Sequence, residues 1–208
     1  MRAWRTLLAG VLALIPGPVA AHSIEDLQAE LYAREKYVEF VDRPAPDFTL
    51  EDAGGRAVAL RDLAGKVVVL WFIYAGCPDL CPLHSAKIAE LQGLVNQTPM
   101  IDRVAFVAIT TDPARDTSDV LSAYGRAHGL DPANFVFLTS GANAPEATRA
   151  LARRFGLEFT LEDAGYQMHG VVTHVIDRGG RLRARFHGLG FATTNALVFV
   201  NALTNDDH

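Results

Sequence analysis

The sequence predicts an α/β protein built on a central mixed sheet flanked by helices. Two apolar, β-branched runs, residues 67–74 and 104–110, have the composition of buried strands. They alternate with segments whose apolar residues recur at helical spacing, a pattern typical of α/β domains. Half of the 208 residues are hydrophobic, so one domain can bury a sizeable core.

The individual elements follow in order along the chain. A hairpin comes first, because residues 48–50 and 58–60 flank the turn sequence 52–55. The central strand and a helix over 83–95 follow. The later predicted elements are strand 104–110, helix 117–128, strand 135–138, helix 143–155, a hairpin of 171–176 and 182–186, and helix 193–203. The closing hairpin and helix suit a thioredoxin-like layout.

Residues 1–21 are predicted to be a cleaved signal peptide. Arg2 and Arg5 precede a short apolar run at 7–15, and residues 19–21 are small, as at a cleavage site. The run is too short to span a bilayer comfortably, which disfavours the alternative of an uncleaved membrane anchor. Export predicts an oxidising compartment, the bacterial periplasm.

The mature chain is predicted to divide into an arm and one globular domain. Residues 22–43 are expected to form a surface helix or a loosely held arm, and a stiff linker at 43–46 opens the domain 44–208. The formal net charge is −5. No nucleic-acid partner is expected, because such binding needs a basic face.

The two cysteines, Cys77 and Cys81, stand where the central strand gives way to a helix. Backbone N–H groups at a helix N-terminus favour the thiolate, which is both a nucleophile and a soft metal ligand. On a helical turn, residues four apart share one face, so the two sulfurs can form a disulfide or bind one metal ion. A disulfide closing so short a loop removes little unfolded-state entropy, which favours a chemical role over a structural one.

The residues around this pair resemble a known family. Cys77-Pro78-Asp79-Leu80-Cys81-Pro82, with segments 48–50, 65–69 and 111–117, is similar to the Sco/SenC copper chaperones. The resemblance implies a thioredoxin-like, non-enzymatic metallochaperone that binds Cu(I) or Cu(II) through both cysteines and one distant histidine. It also implies a copper enzyme as partner, at the CuA or CuB centre of a haem–copper oxidase. A thiol reductant and proximity to a membrane are further expectations.

The third ligand must be chosen from seven histidines. They are His22, His84, His128, His169, His174, His187 and His208. His174 falls inside an apolar strand, which favours a structural role, whereas His169 precedes that strand in a loop expected to face the cysteines. In the Sco resemblance the ligand histidine also stands before this strand, eleven residues ahead of a turn glycine, here Gly180. The predicted ligands are therefore Cys77, Cys81 and His169.

Several alternatives stay open at this point. His84, one helical turn beyond Cys81, could approach the site or point to solvent. The protein could be a thiol–disulfide oxidoreductase, although the C-x-x-C spacing is absent and no proline follows Pro145 to stand opposite the cysteines. A copper or redox sensor would need the same ligands as a chaperone. Residues 111–117 are either a capped turn or a partner-docking loop.

Overall fold

A computed structural model describes residues 23–162 and 165–206 of the chain. The helices are α1 (Ile24–Arg34), α2 (Leu80–Asn96), α3 (Ser118–Ala127), α4 (Pro145–Arg154) and α5 (Thr193–Asn205). The strands are β1 (Val38–Pro44), β2 (Thr49–Asp52), β3 (Ala57–Ala59), β4 (Val67–Ile73), β5 (Val104–Thr110), β6 (Phe135–Thr139), β7 (Glu158–Glu162), β8 (Gly165–His169), β9 (Val172–Ile176) and β10 (Arg181–His187). Short 3₁₀ turns occupy Leu60–Leu63 and Pro99–Asp102.

Strand β4 is the centre of the sheet, and all seven of its residues are buried. Its side chains alternate between two cores: Trp71 and Ile73 lie in one, and Leu70 and Phe72 in the other. A strand covered on both faces needs apolar residues at every position, which explains the unbroken apolar run. Strand β5 is buried in the same way.

The main sheet is mixed and has the strand order β1-β10-β9-β4-β5-β6-β2-β3. Strands β4, β5 and β6 run parallel, and β9 pairs antiparallel to β4 on the other side. The parallel pairs require crossover helices, and α2 and α3 supply them. In this order α2 begins at the carboxyl end of β4, so the cysteines lie at that edge of the sheet.

Helices cover both faces of the sheet. Ile88 of α2 and Phe199 of α5 belong to the same core as Trp71. On the opposite face, Leu151 of α4 packs in the core that contains Phe72. The cysteine-bearing helix is thereby held against the sheet along its buried side, which gives the site a rigid support.

The predicted fold class is confirmed, including the N-terminal hairpin, which is β2 with β3. The structure adds a second, two-stranded sheet of β7 and β8 that the sequence pattern did not predict. Residues 22–43 were expected to form a surface helix or a loosely held arm. The structure has a helix there, α1, with Leu31 buried in the core, and the part that follows is not a loose arm, because β1 pairs with β10. The sheet therefore begins ahead of the predicted domain start.

The predicted signal peptide at residues 1–21 lies outside the described residues. Among residues 23–162 and 165–206, no helix combines the length and apolar character that crossing a membrane requires.

Candidate metal centre

The two cysteines do not share a helical turn. Helix α2 begins at Leu80, so Cys81 lies in its first turn while Cys77 lies in the preceding loop. The first-turn N–H groups of a helix have no intrahelical acceptor. The Cys81 N–H donates instead to the Cys77 Sγ, at 3.4 Å. The predicted closeness of the two residues is thus achieved by a loop that folds back onto the helix start, and both thiols are free.

The two thiols differ sharply in environment. Cys77 is half-buried, whereas Cys81 is only 1% exposed. Burial alone would raise the pKa of Cys77, but hydrogen bonds from the backbone N–H groups of Asp79 and Cys81 outweigh it and hold that pKa below its usual value. Burial raises the pKa of Cys81 far above its usual value, and the nearby charges of Cys77 and Asp116 act in the same direction. The expected activation by the helix N-terminus therefore applies to Cys77 alone.

Asp116 holds the cysteine loop in place, a role that the sequence did not reveal. Its carboxylate accepts the N–H of Ala75 at 3.0 Å and the hydroxyl of Thr110. Asp116 is 3% exposed, and burial is the main reason that its pKa is raised. The bond to Ala75 acts two residues before Cys77, so Asp116 fixes the loop from the turn that follows the neighbouring strand β5.

The segment around Asp116 is a capped turn, as the first of the two interpretations proposed. The Asp116 N–H donates to the Asp112 carbonyl, and the Thr117 hydroxyl accepts the N–H of Val120 at the start of α3. Arg115 pairs with the Asp112 carboxylate. These contacts account for the residue types of the segment, and a docking role stays a prediction.

His169 is the last residue of β8, not a loop residue, which corrects its predicted setting. Its backbone pairs with Glu158 of β7, and a bend at Gly170 leads into β9. The His169 side chain lies outside the described residues. The side chains that are described contain no group of three or more His, Cys, Asp or Glu residues able to hold a metal ion. The ligand role of His169 therefore remains a prediction.

His174 occupies the buried strand position expected from the sequence. It is fully buried, its ring packs edge-on to Phe155 at 4.9 Å between centroids, and Nε2 lies 3.2 Å from the Phe155 carbonyl oxygen. Burial lowers the pKa of His174 to about 4. The side chain belongs to the core beneath α4, on the opposite face of the sheet from α2.

The other described histidines each have a different hydrogen-bond or ion-pair partner. His84 is fully buried rather than exposed to solvent, and its Nε2 lies 2.8 Å from the Thr173 hydroxyl. His128 ends α3, with its Nδ1 against the Tyr124 carbonyl, and His187 pairs with Glu39 at the end of β10. His22 and His208 lie outside the described residues.

The fold and the site together define a class of protein. A free, unequal thiol pair follows the central strand of a mixed sheet with helices on both faces, which is the arrangement of a thioredoxin-like dithiol protein. Within that class the chain belongs to the SCO1/SenC family, whose family model matches residues 38–197.

Individual relatives agree with this family. The chain is 29% identical over 143 residues to the SCO2-like protein RP587 of Rickettsia prowazekii, covering 67% of each. It is similar to the copper-bound structure of Bradyrhizobium japonicum ScoI, with 25% identity, a TM-score of 0.62, and coverage of 76% of this chain and 98% of that one. It also shares its fold with BsSco, at a TM-score of 0.70 and 19% identity over 80% of this chain and 96% of BsSco. BsSco is described as a member of the Sco family of cytochrome c oxidase assembly proteins with a disulfide switch.

Proposed function

We propose that this protein is an exported copper metallochaperone that binds one copper ion through Cys77, Cys81 and His169. It delivers the ion to a haem–copper oxidase during assembly of a CuA or CuB centre. The proposal rests on membership of the SCO1/SenC family and on the copper bound to a relative. The predicted signal segment supports delivery in the periplasm, near the membrane that holds such an oxidase.

The observation that carries the proposal is the unequal thiol pair. Copper in its reduced state prefers soft thiolate ligands, and two backbone N–H groups favour the thiolate form of the half-buried Cys77 by lowering its pKa. Cys81 stays protonated until a positive ion arrives, and then its proton leaves as the metal–sulfur bond forms. One accessible thiolate to capture the ion and one buried thiol to enclose it suit a carrier that must also release its cargo.

The oxidation state of the pair regulates the site. Loss of two electrons and two protons joins the two sulfurs as a disulfide, which has no thiolate left to bind copper. Loading in an oxidising compartment then needs a dithiol reductant that returns the two electrons and two protons while becoming a disulfide itself.

A second candidate function is favoured by the same asymmetry. A thiol–disulfide oxidoreductase also uses one accessible thiolate to attack and one buried thiol to resolve the mixed disulfide. Against it, the spacing is C-x-x-x-C, and no proline follows Pro145 in the sequence to stand opposite the pair. The two candidates share their cysteines and differ in whether a histidine is needed.

Copper titration of the reduced protein lacking residues 1–21 tests the proposal. We expect one Cu(I) per chain, and Cys77→Ser or Cys81→Ser should abolish tight binding, because a single thiolate cannot replace the pair. The oxidised protein should bind neither copper ion tightly. Tight binding that survives in both serine variants would refute the site.

The histidine variants separate the two candidate functions. Cu(II) prefers an added nitrogen ligand, so His169→Ala should weaken Cu(II) binding much more than Cu(I) binding. His174→Ala is the matched control and should lower stability instead, because His174 is enclosed in the core. Loss of the Cu(II)–thiolate absorption in folded His174→Ala but not in His169→Ala would reverse the assignment. If both variants bound Cu(I) and Cu(II) as the parent protein does, and the parent showed strong disulfide-reductase turnover, the oxidoreductase function would be favoured.

A further inference from the structure

His84 forms a buried contact that the proposed copper site does not explain. It lies on α2 three residues after Cys81, it is fully buried, and its Nε2 is 2.8 Å from the Thr173 Oγ1. Its Nδ1 has no hydrogen-bond partner within the part of the chain that the structure describes. Burying a histidine in this way is costly, because an unpaired buried polar atom loses its hydration.

The protonation state of His84 follows from its partners. Burial lowers the pKa of His84 to about 3, so the ring is neutral at physiological pH and carries one hydrogen. An unpaired buried N–H is rarer in proteins than an unpaired acceptor. The hydrogen therefore belongs on Nε2, which donates to the Thr173 hydroxyl, and the unpaired atom is the Nδ1 lone pair.

The contact joins the helix that carries Cys81 to the strand that follows His169. His84 is on α2, three residues after Cys81, and Thr173 is on β9, four residues after His169, which ends β8. Both residues are fully buried where α2 crosses the sheet, so water does not compete for this bond. It is a hydrogen bond between side chains 89 positions apart in the sequence.

We propose that His84 is a positioning residue. Its hydrogen bond to Thr173 sets the distance between the cysteine pair and the start of β9, next to His169. The inference rests on the proposed function and names a residue outside its ligand set. Cu(I) can be held by the two thiolates alone, which both lie on the α2 side. Cu(II) also needs the His169 nitrogen, which comes from the end of β8 just before β9. Only Cu(II) binding should therefore depend on how β9 is placed relative to α2.

Two variants of Thr173 isolate the hydrogen bond. Thr173→Val keeps the shape of the side chain but removes the hydroxyl, and Thr173→Ser keeps the hydroxyl but loses a methyl group. A typical hydrogen bond corresponds to about three- to tenfold in an equilibrium constant, so Thr173→Val should weaken Cu(II) binding by about that factor. The Cu(I) affinity of Thr173→Val should be unchanged within about twofold. Thr173→Ser should keep the parent affinities for both ions.

The matched control is a second buried polar contact of the same helix. Gln92 of α2 donates to the Asp131 carbonyl at 2.8 Å and to the Asn134 Oδ1 at 2.7 Å, both in the segment before β6. Gln92→Met should lower the stability of the copper-free protein in urea while leaving the ratio of Cu(II) to Cu(I) affinity unchanged. The copper-free variants are also compared by amide hydrogen exchange, and only Thr173→Val should speed exchange at residues 172–174.

The outcomes distinguish this inference from the proposed function. A parent protein that binds neither copper ion overturns both. A parent protein that binds copper as proposed, with Thr173→Val and Thr173→Ser equal in their Cu(II) affinities, overturns the positioning role alone. The same selective loss of Cu(II) binding in Gln92→Met would overturn it as well, because a general loosening of α2 would then suffice.

Discussion

At the scale of single residues, the two thiols should differ in reactivity. Cys77 is half-buried with a lowered pKa, whereas Cys81 is enclosed with a raised one. The thiolate is the form that reacts with alkylating agents, and its fraction changes about tenfold for each unit of pKa. Iodoacetamide at neutral pH should therefore modify Cys77 at least about tenfold faster than Cys81, as followed by mass spectrometry of the reduced protein.

The control for this difference is the serine pair. Cys81→Ser keeps the backbone N–H that donates to Cys77, so fast labelling should persist in that variant. Cys77→Ser should leave only slow labelling. Equal rates for the two thiols in the parent protein would contradict the described environments.

At the scale of elements, one carboxylate from the N-terminal segment caps the last helix. Glu35 is 5% exposed, and its Oε2 accepts the Ala192 N–H and the Asn195 side-chain amide, both at 2.9 Å. Ala192 is the N-cap residue of α5 and has no side-chain cap of its own. An anion at this position satisfies the free N–H groups and interacts well with the helix dipole. The segment before β1 is therefore part of the domain.

Glu35→Gln should lower the free energy of unfolding by about 1–2 kcal/mol at pH 7, since an N-cap hydrogen bond is of that size. Burial opposes ionisation of Glu35, but the bonds from Asn195, Ala192 and Tyr37 outweigh it and hold its pKa below 4.5. The stabilisation is present above about pH 4.5 and is lost as the pH falls through the folded-state pKa. Urea denaturation at pH 7 and pH 4 should show that the difference in free energy of unfolding between parent and variant is smaller at pH 4.

Asp42→Asn provides a comparison for that experiment. Asp42 pairs with Arg181 at 2.7 Å, but its side chain is 66% exposed, so solvent screens the pair. Its loss should change stability much less than the loss of Glu35. A Glu35→Gln protein as stable as the Asp42→Asn protein at pH 7 would show that α5 does not depend on this cap.

At the scale of the whole molecule, two buried histidines make the fold sensitive to mild acid. Burial lowers the pKa of His84 to about 3 and of His174 to about 4, against 6.5 in the unfolded chain. Below pH 6.5 the unfolded state binds protons at these two histidines and the folded state does not. The free energy of unfolding therefore falls as the pH is lowered. Each histidine contributes up to about 1.4 kcal/mol per pH unit. The urea midpoint should therefore drop steadily from pH 7 to pH 5.

Replacing one buried histidine should flatten this dependence. His174→Leu removes a titrating group from the core, so its urea midpoint should vary less between pH 7 and pH 5 than that of the parent protein. His187→Gln is the comparison, because it removes a histidine whose side chain is 46% exposed rather than one enclosed in the core. An unchanged slope in His174→Leu would mean that the loss of stability in acid has another source.

Much of the fold could be predicted from local patterns. Strand β5 was predicted at its observed bounds, and β4 and α2 nearly so, because burial on both faces or on one helical face is recorded in the spacing of apolar residues. The added pair β7 and β8 was missed. The alternation in residues 158–161 was a usable signal, but it was short.

The sequence by itself determined the fold class, the cysteine pair and its family resemblance, because each depends on neighbouring residues. Tertiary structure decided how those residues are used. It made Cys77 accessible and Cys81 enclosed, and it brought Asp116 to the loop before Cys77. It also joined His84 to Thr173 across 89 positions. Burial and long-range hydrogen bonds arise only when distant segments pack together, so no local pattern could contain them.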